Sequence, residues 1–287
     1  MNPKWKGDMQ SFDPVTQDAP NDPKFPASMQ PVSFISHGSK LLGTFFFASG
    51  EGLHPTILLL HGFPGNEVNY DIAHAVRRMG FNVMVFHYRG CWGSEGNYLW
   101  TNLVEDVDEA IRFLKSETAK EKYRVDNSKI ALIGHSMGGF AAAFCSVKHD
   151  EIKNIASLAG FNAGLFGEFI EGNNELIQFS ADTMQPAMEF VKCNSAVTLL
   201  NEMISNKKEW NLLNYLDKLR NKNWLIIAAK HDTIAPLDIH HKPLVGALKI
   251  AGAENFHEHI LETGHSFSDS RIKLTRIICE WLSQIKF

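Results

Sequence analysis

The chain has 287 residues, enough for one large α/β domain or a domain with a small insert, and its 44% hydrophobic and 21% charged residues suit a globular core that needs no disulfide staples. A net charge of −4 argues against nucleic-acid and anionic-membrane partners, and no apolar run approaches the roughly 20 residues of a membrane span. The four cysteines, Cys91, Cys145, Cys193 and Cys279, have no short spacing and read as free thiols; with no apolar signal segment at the N-terminus, a cytoplasmic location is expected.

In chain order, the Pro-rich residues 1–30 read as an extended arm. Strands are expected over 32–35 and 41–48, around a His37-Gly38-Ser39 turn. A buried strand follows over 54–61 and opens into His61-Gly62-Phe63-Pro64-Gly65-Asn66. Residues 71–79 carry Ile72, Ala75, Val76 and Met79 at helical spacing, and 81–86 read as a strand. Leu103, Val107, Ala110, Ile111 and Leu114 mark an amphipathic helix over 102–115, and Asp126-Asn127 reads as the turn before the next strand. The β-branched run 129–133 meets Gly134-His135-Ser136-Met137-Gly138 and then the small residues 139–143. A strand over 152–159 precedes residues 162–222, whose pattern is helical and breaks the strand-helix alternation. Alternation resumes with a strand over 224–230 ending in His231-Asp232, a strand over 256–261 running into Glu262-Thr263-Gly264-His265, and a last helix. The expected fold is therefore α/β, a mostly parallel sheet flanked by helices. Its core comprises 31–161 and 223–287, and 162–222 form a helical insert.

The chemistry concentrates at three turns. A G-x-S-x-G between strand and helix is a nucleophile elbow, whose tight corner lifts the serine hydroxyl out of the sheet and sets the next backbone N–H at a helix N-terminus. Ser136 is the candidate nucleophile. Its hydroxyl needs a base, and the base needs a group to fix its tautomer. Asp232 and His265 follow in the order this arrangement uses, each at the C-terminal end of a strand. Glu262 is a rival acid, disfavoured because it lies three residues from His265. An oxyanion needs preorganised donors, and the backbone N–H groups of Met137 and Phe63 are the candidates, Pro64 having none to offer.

These motifs together, HGFPGN, GHSMGG, KHDTIAP and TGHSF, resemble the α/β-hydrolase superfamily over about residue 31 to the C-terminus. The 87–96 loop, HYRGCWGSEG, is similar to that of bacterial serine esterases, and 264–271 to the prolyl oligopeptidase catalytic domain. The resemblance implies a serine hydrolase of esters, amides or thioesters, with 162–222 as a cap over the site. Fewer than 60 residues precede the first catalytic strand, so a β-propeller, with blades of about 40–50 residues, is not expected. A carboxylesterase is therefore favoured over a serine peptidase, a thioesterase or a non-catalytic binding protein of this fold.

Trp92, Phe166 and Phe169 are candidate substrate-binding residues, with Trp100, Ile170, Phe179, Met184, Met188 and Phe190 as further pocket walls; the alternative is that the cap aromatics pack its own core. Cys91 lies in a loop near the expected catalytic face. No metal or organic cofactor is required, and a zinc site from His231, His240, His241, His257 and His259 is disfavoured for want of paired Cys or acidic ligands. The expected partner is a small ester or other acyl substrate; a homodimer is left open.

Overall fold

In the computed structural model, which describes residues 12–287, eight strands form one sheet in the order β1-β2-β4-β3-β5-β6-β7-β8. They are β1 (Ser28–Ser36), β2 (Ser39–Phe47), β3 (His54–Leu60), β4 (Asn82–Phe86), β5 (Val125–His135), β6 (Asn154–Leu158), β7 (Asn223–Ala229) and β8 (Phe256–Leu261). The pairings β1–β2 and β2–β4 are antiparallel and the rest parallel. Strands β3, β4 and β6 are buried along their whole length, as expected of parallel strands covered on both faces. β1 sits at the edge, and its buried residues alternate: Val32, Phe34, Ser36.

The helices are α1 (Tyr70–Arg78), α2 (Trp100–Lys115), α3 (Glu117–Tyr123), α4 (Met137–Lys148), α5 (Ala163–Ile170), α6 (Asn174–Met184), α7 (Ala196–Ser205), α8 (Lys207–Trp210), α9 (Leu216–Leu219), α10 (Lys242–Ile250) and α11 (Arg271–Gln284). Two apolar cores result, one on each face of the sheet. Ile72 and Val76 of α1 pack with Leu274, Ile278 and Trp281 of α11 on one side. Leu103 and Ile111 of α2, Phe140 and Phe144 of α4, and Leu199 of the insert pack on the other. Helix α4 is buried from Met137 to Val147, so its run of Gly and Ala is what lets it lie flat against the sheet.

Among the boundaries that differ from the sequence-based expectation, three do so for a reason outside the local sequence. β1 starts at Ser28, inside the expected arm, because Ser28, Met29 and Gln30 pair with Phe47, Phe46 and Phe45. Of the remaining arm, residues 1–11 lie outside the described residues. Asp13 and Pro14 are held by Arg276 (2.7 Å) and Arg78 (2.6 Å). The expected Asp126-Asn127 turn is instead part of β5, whose first residue, Val125, pairs with His54 ahead of a register shift. Helix α2 starts at Trp100 rather than 102 because Glu202, from the insert, accepts the Trp100 N–H at 2.8 Å and so caps it from outside.

Residues 162–222 contain no strand of the sheet, only α5–α9 and short 3-10 turns. The segment around Lys192 is tied to the loop after β4: Lys192 donates its N–H to the Gly90 carbonyl (2.8 Å) and accepts from the Tyr98 N–H (2.7 Å). That loop is anchored by a buried ion pair. Asp106, fully buried, accepts from Arg89 Nε (2.6 Å), the Arg89 N–H (2.7 Å) and Ser36 Oγ (2.5 Å). Removing one partner of such a pair strands the other in a low-dielectric interior. Here Arg89 keeps Glu105 (2.5 Å) and the Asn102 carbonyl (2.9 Å), so Asp106→Ala is expected to lower unfolding free energy by about 1.5–3 kcal/mol, read as a fall in the urea midpoint with unchanged slope; an unchanged midpoint would contradict the anchoring role.

Candidate active site

Ser136 stands between β5 and α4 at φ 56° and ψ −121°, a conformation that side-chain-bearing residues seldom adopt. Its backbone is held from both sides. The N–H donates to the Leu158 carbonyl (2.8 Å), and the carbonyl accepts from the N–H groups of Gly139 (2.9 Å), Phe161 (3.1 Å) and Phe140 (3.2 Å). The corner has no room for side chains around it: a Cβ at Gly134 would strike the Gly138 carbonyl, and one at Gly138 would strike the Leu60 carbonyl.

The structure brings His265 and Asp232 together. His265 Nδ1 donates to Asp232 Oδ2 at 2.7 Å, leaving Nε2 as the free ring nitrogen. Asp232 Oδ1 accepts the N–H groups of Ala235 (2.7 Å) and Ile234 (2.9 Å). Burial works to raise the Asp232 carboxyl, but the His265 contact and these two donors outweigh it and hold it below the usual carboxylate range. Glu262 is turned away to the surface, paired with Lys230 (2.5 Å) and His231 (3.2 Å).

The loop after β3 packs directly on the elbow. A Cβ on Gly62 would come within 2.8 Å of Ser136 Cβ and 3.4 Å of its Oγ. The Gly62 carbonyl accepts from His61 Nδ1 at 2.7 Å. Because a peptide unit is planar, that contact turns the Phe63 N–H the opposite way. Neither the Phe63 N–H nor the Met137 N–H, the first of α4, has a hydrogen-bond partner among the described residues. Behind this loop, His87 Nδ1 lies 3.3 Å from His61 Nε2, Tyr88 Oη donates to the His61 carbonyl (2.9 Å), and Trp92 Nε1 donates to the Pro64 carbonyl (2.8 Å).

Trp92 thus belongs to the wall of this loop; it is stacked on Phe190 of the insert at 5.4 Å and left part exposed. Phe166 is half-buried against Phe161 (5.0 Å) and His240 (5.8 Å). Phe169 is 51% exposed, and its ring lies 6.3 Å from that of Phe166. Of the other apolar residues of 162–222 expected as pocket walls, Ile170 is core to this segment and Phe179 faces solvent. Cys91 is fully buried, and burial raises its thiol far from reactivity. Among the described residues, no three His, Cys, Asp or Glu side chains gather as a metal set, and no helix is long and apolar enough to cross a membrane.

Sequence reasoning missed His135, whose only visible signal is its place inside the elbow motif. Its Nε2 bonds the His265 carbonyl at 2.9 Å, with the rings 4.9 Å apart. Burial, then the neighbouring His265, push its pKa down to about 4. Arg271 holds the same loop from the other end, donating to the Ser266 carbonyl (3.2 Å) while clamped by Asp71.

With this geometry in place, comparison with known proteins gives the family. The sequence profile of the alpha/beta hydrolase fold matches residues 55–203, just over half of the chain, and the chain belongs to that family. An Escherichia coli protein of 31.7 kDa from the traX-finO intergenic region is 31% identical over 135 residues, 45% of each chain. The match thus spans less than half of that relative's length. Esterase YjfP of Escherichia coli is 22% identical over 192 residues, 64% of this chain and 71% of its own. In structure, the acylaminoacyl peptidase of Pyrococcus horikoshii superposes with a TM-score of 0.65 at 19% identity, covering 90% of this chain and 42% of that one; this likeness shows the shared fold.

Three buried imidazoles are expected to weaken the fold as pH falls. Burial pushes His61 and His240 down to about 3 and His135 to about 4, from an ordinary value of 6.5. The unfolded chain then binds more protons than the folded one below 6.5, so their contribution is fully present above that pH and drains as pH falls toward the folded values. Each ring contributes a slope of up to about 1.4 kcal/mol per pH unit. Thermal unfolding midpoints are expected to fall steadily from about pH 6.5 downward, with a shallower fall in His135→Gln; a flat profile to about pH 5 would contradict it.

Proposed function

We propose that this chain is a serine hydrolase that cleaves carboxylic esters through an acyl-enzyme. The observation that carries the reading is the 2.7 Å bond from His265 Nδ1 to Asp232, in a site whose serine sits on a strained elbow against Gly62. In this reading His265 Nε2 takes the Ser136 proton as Oγ attacks the carbonyl carbon. The Phe63 and Met137 N–H groups receive the oxyanion, an effect worth about 3–4 kcal/mol for one donor. His265 protonates the leaving alcohol, and water, activated by the same ring, hydrolyses the acyl-enzyme. Asp232 keeps the proton on Nδ1 and stabilises the imidazolium. The stacked Trp92 and Phe190, beside the Pro64 carbonyl, supply an apolar wall for the acyl or alcohol group.

The esterase name of one relative supports ester cleavage. The peptidase name of a structural neighbour supports a second reading, hydrolysis of N-acylated amino-acid amides by the same residues. A series of p-nitrophenyl esters of increasing acyl length, beside an N-acetyl amino-acid p-nitroanilide, separates the two by their kcat/KM. Ester turnover is expected to dominate, to fall by at least about 10^3-fold in Ser136→Ala, and to fall by about 10^4-fold in kcat in Asp232→Asn. Ester turnover that survives Ser136→Ala would overturn the proposal, and dominance of the anilide would select the second reading.

A further inference from the structure

Behind Asp232 lies a small, partly open space of about 20 Å3, bounded by β6 and β7, the start of α4 and the turn Leu237–His241. Most of its wall is apolar, including Phe161, Trp224 and Leu244. The polar side chains on it are Ser157, Asn162, Asp232, His240 and His241. All but one have at least one hydrogen-bond partner on each side-chain polar atom that faces the space or are held by neighbours within the protein. Ser157 Oγ accepts from Trp224 Nε1 (3.1 Å), Asn162 Oδ1 accepts from the Leu165 N–H (3.3 Å), and His241 Nε2 bonds Glu258 (2.8 Å). The exception is His240, 1% exposed, whose Nε2 has no partner.

The tautomer of that ring is fixed by its other nitrogen. The Asn162 backbone N–H, which can only donate, points at His240 Nδ1 at 3.0 Å. Nδ1 is therefore unprotonated. Burial keeps the ring uncharged, its pKa pushed down to about 3, so the single proton sits on Nε2. The result is a buried N–H donor with no partner among the described residues, on the wall of a space with room for an ordered water. Asp232, on the same wall, has one acceptor position left. Its Oδ1 takes two backbone N–H groups and its Oδ2 takes His265 Nδ1.

We propose that this space is a built site for one internal water, which accepts from His240 Nε2–H and donates to Asp232 and Ser157, making His240 a positioning residue for the Asp232 carboxylate. The water fills the last acceptor position of the carboxylate and fixes the direction in which Oδ2 faces His265. The water site stands on the geometry alone; the consequence for turnover rests on the esterase reading.

Three measurements on the full chain test it. A crystal structure that resolves ordered solvent is expected to show a water within hydrogen-bond distance of His240 Nε2 and Asp232; a dry cavity overturns the site. In 15N-histidine NMR, the downfield proton shared by His265 Nδ1 and Asp232 is expected to shift in His240→Phe, which fills the space and removes the donor, and to return toward its original position in His240→Gln. An unshifted proton in a folded His240→Phe overturns the positioning role. On a p-nitrophenyl ester, kcat is expected to fall by about tenfold in His240→Phe with little change in KM, and to recover in His240→Gln. If His240→Phe does not fold, Ser157→Ala, which removes another partner of the water, takes its place in the NMR comparison with the same two outcomes. The crystallographic and NMR readouts need no turnover, so an inactive enzyme would overturn the esterase reading and leave this site standing or falling on its own.

Discussion

The backbone conformation of Ser136 is the constraint on which the rest of the site depends. A residue with a side chain at positive φ costs on the order of 1–3 kcal/mol, and it persists only where its surroundings leave no alternative. Here four backbone hydrogen bonds supply that determination, one on its N–H from β6 and three on its carbonyl. The third donor to the carbonyl, Phe161, is also the residue that packs its ring on His240, so the end of β6 is fixed by the same corner. The close approach of Gly138 to the Leu60 and His61 carbonyls sets the distance between β3 and α4, and with it where the Phe63 and Met137 N–H groups lie. A larger residue at 138 would not merely crowd the helix; it would push apart the two elements that carry the unpaired donors.

What was legible in the sequence follows from what is local. The central strands are covered on both faces and so read as unbroken apolar runs; Ser136, Asp232 and His265 each sit in a short turn whose chemistry is written in adjacent residues. The start of α2 was not legible, because its cap is the Glu202 carboxylate, about a hundred residues away in sequence. Nor was the first part of β5, since Asp126-Asn127 has turn chemistry and is overridden by pairing of Val125 with His54. Over 162–222 the sequence pattern is helical but reveals neither the bounds of α5 and α6 nor which face each residue takes. Ile170 and Phe179 look alike as candidate lining residues, yet one is core and the other faces solvent. The roles of His61, His135 and His240 depend on which ring nitrogen meets which backbone group, and no sequence pattern encodes that.

The insert is tied to the core at the loop that also supports the oxyanion candidates. Lys192 exchanges backbone hydrogen bonds with Gly90 and Tyr98, Phe190 stacks on Trp92, and Trp92 in turn bonds the Pro64 carbonyl. Arg89 and Asp106 clamp the base of that loop in the interior. The segment 190–193 and the 61–65 loop are therefore joined through two contacts that share one residue, Trp92. Displacing this part of the insert would break main-chain hydrogen bonds and strip a neighbour from the indole that braces the Pro64 carbonyl. Cys91 adds a second link, bridging to Val191 and placing its Sγ 3.8 Å from the same Pro64 carbonyl.

Five imidazoles gather around the elbow, and their differences are electrostatic. Burial holds His61, His87, His135 and His240 below their ordinary pKa, and three of the four spend a ring nitrogen on the backbone: His61 on the Gly62 carbonyl, His135 on the His265 carbonyl, His240 on the Asn162 N–H. As neutral rings they orient loops without placing a positive charge beside the serine. Of the five, His265 alone has a carboxylate on its ring. Under the esterase reading, the imidazolium formed in turnover would meet Asp232, 2.7 Å from His265 Nδ1, as its one carboxylate partner. The neutral histidines thus act by what they withhold. They supply hydrogen bonds that set geometry while adding no charge of their own beside Ser136.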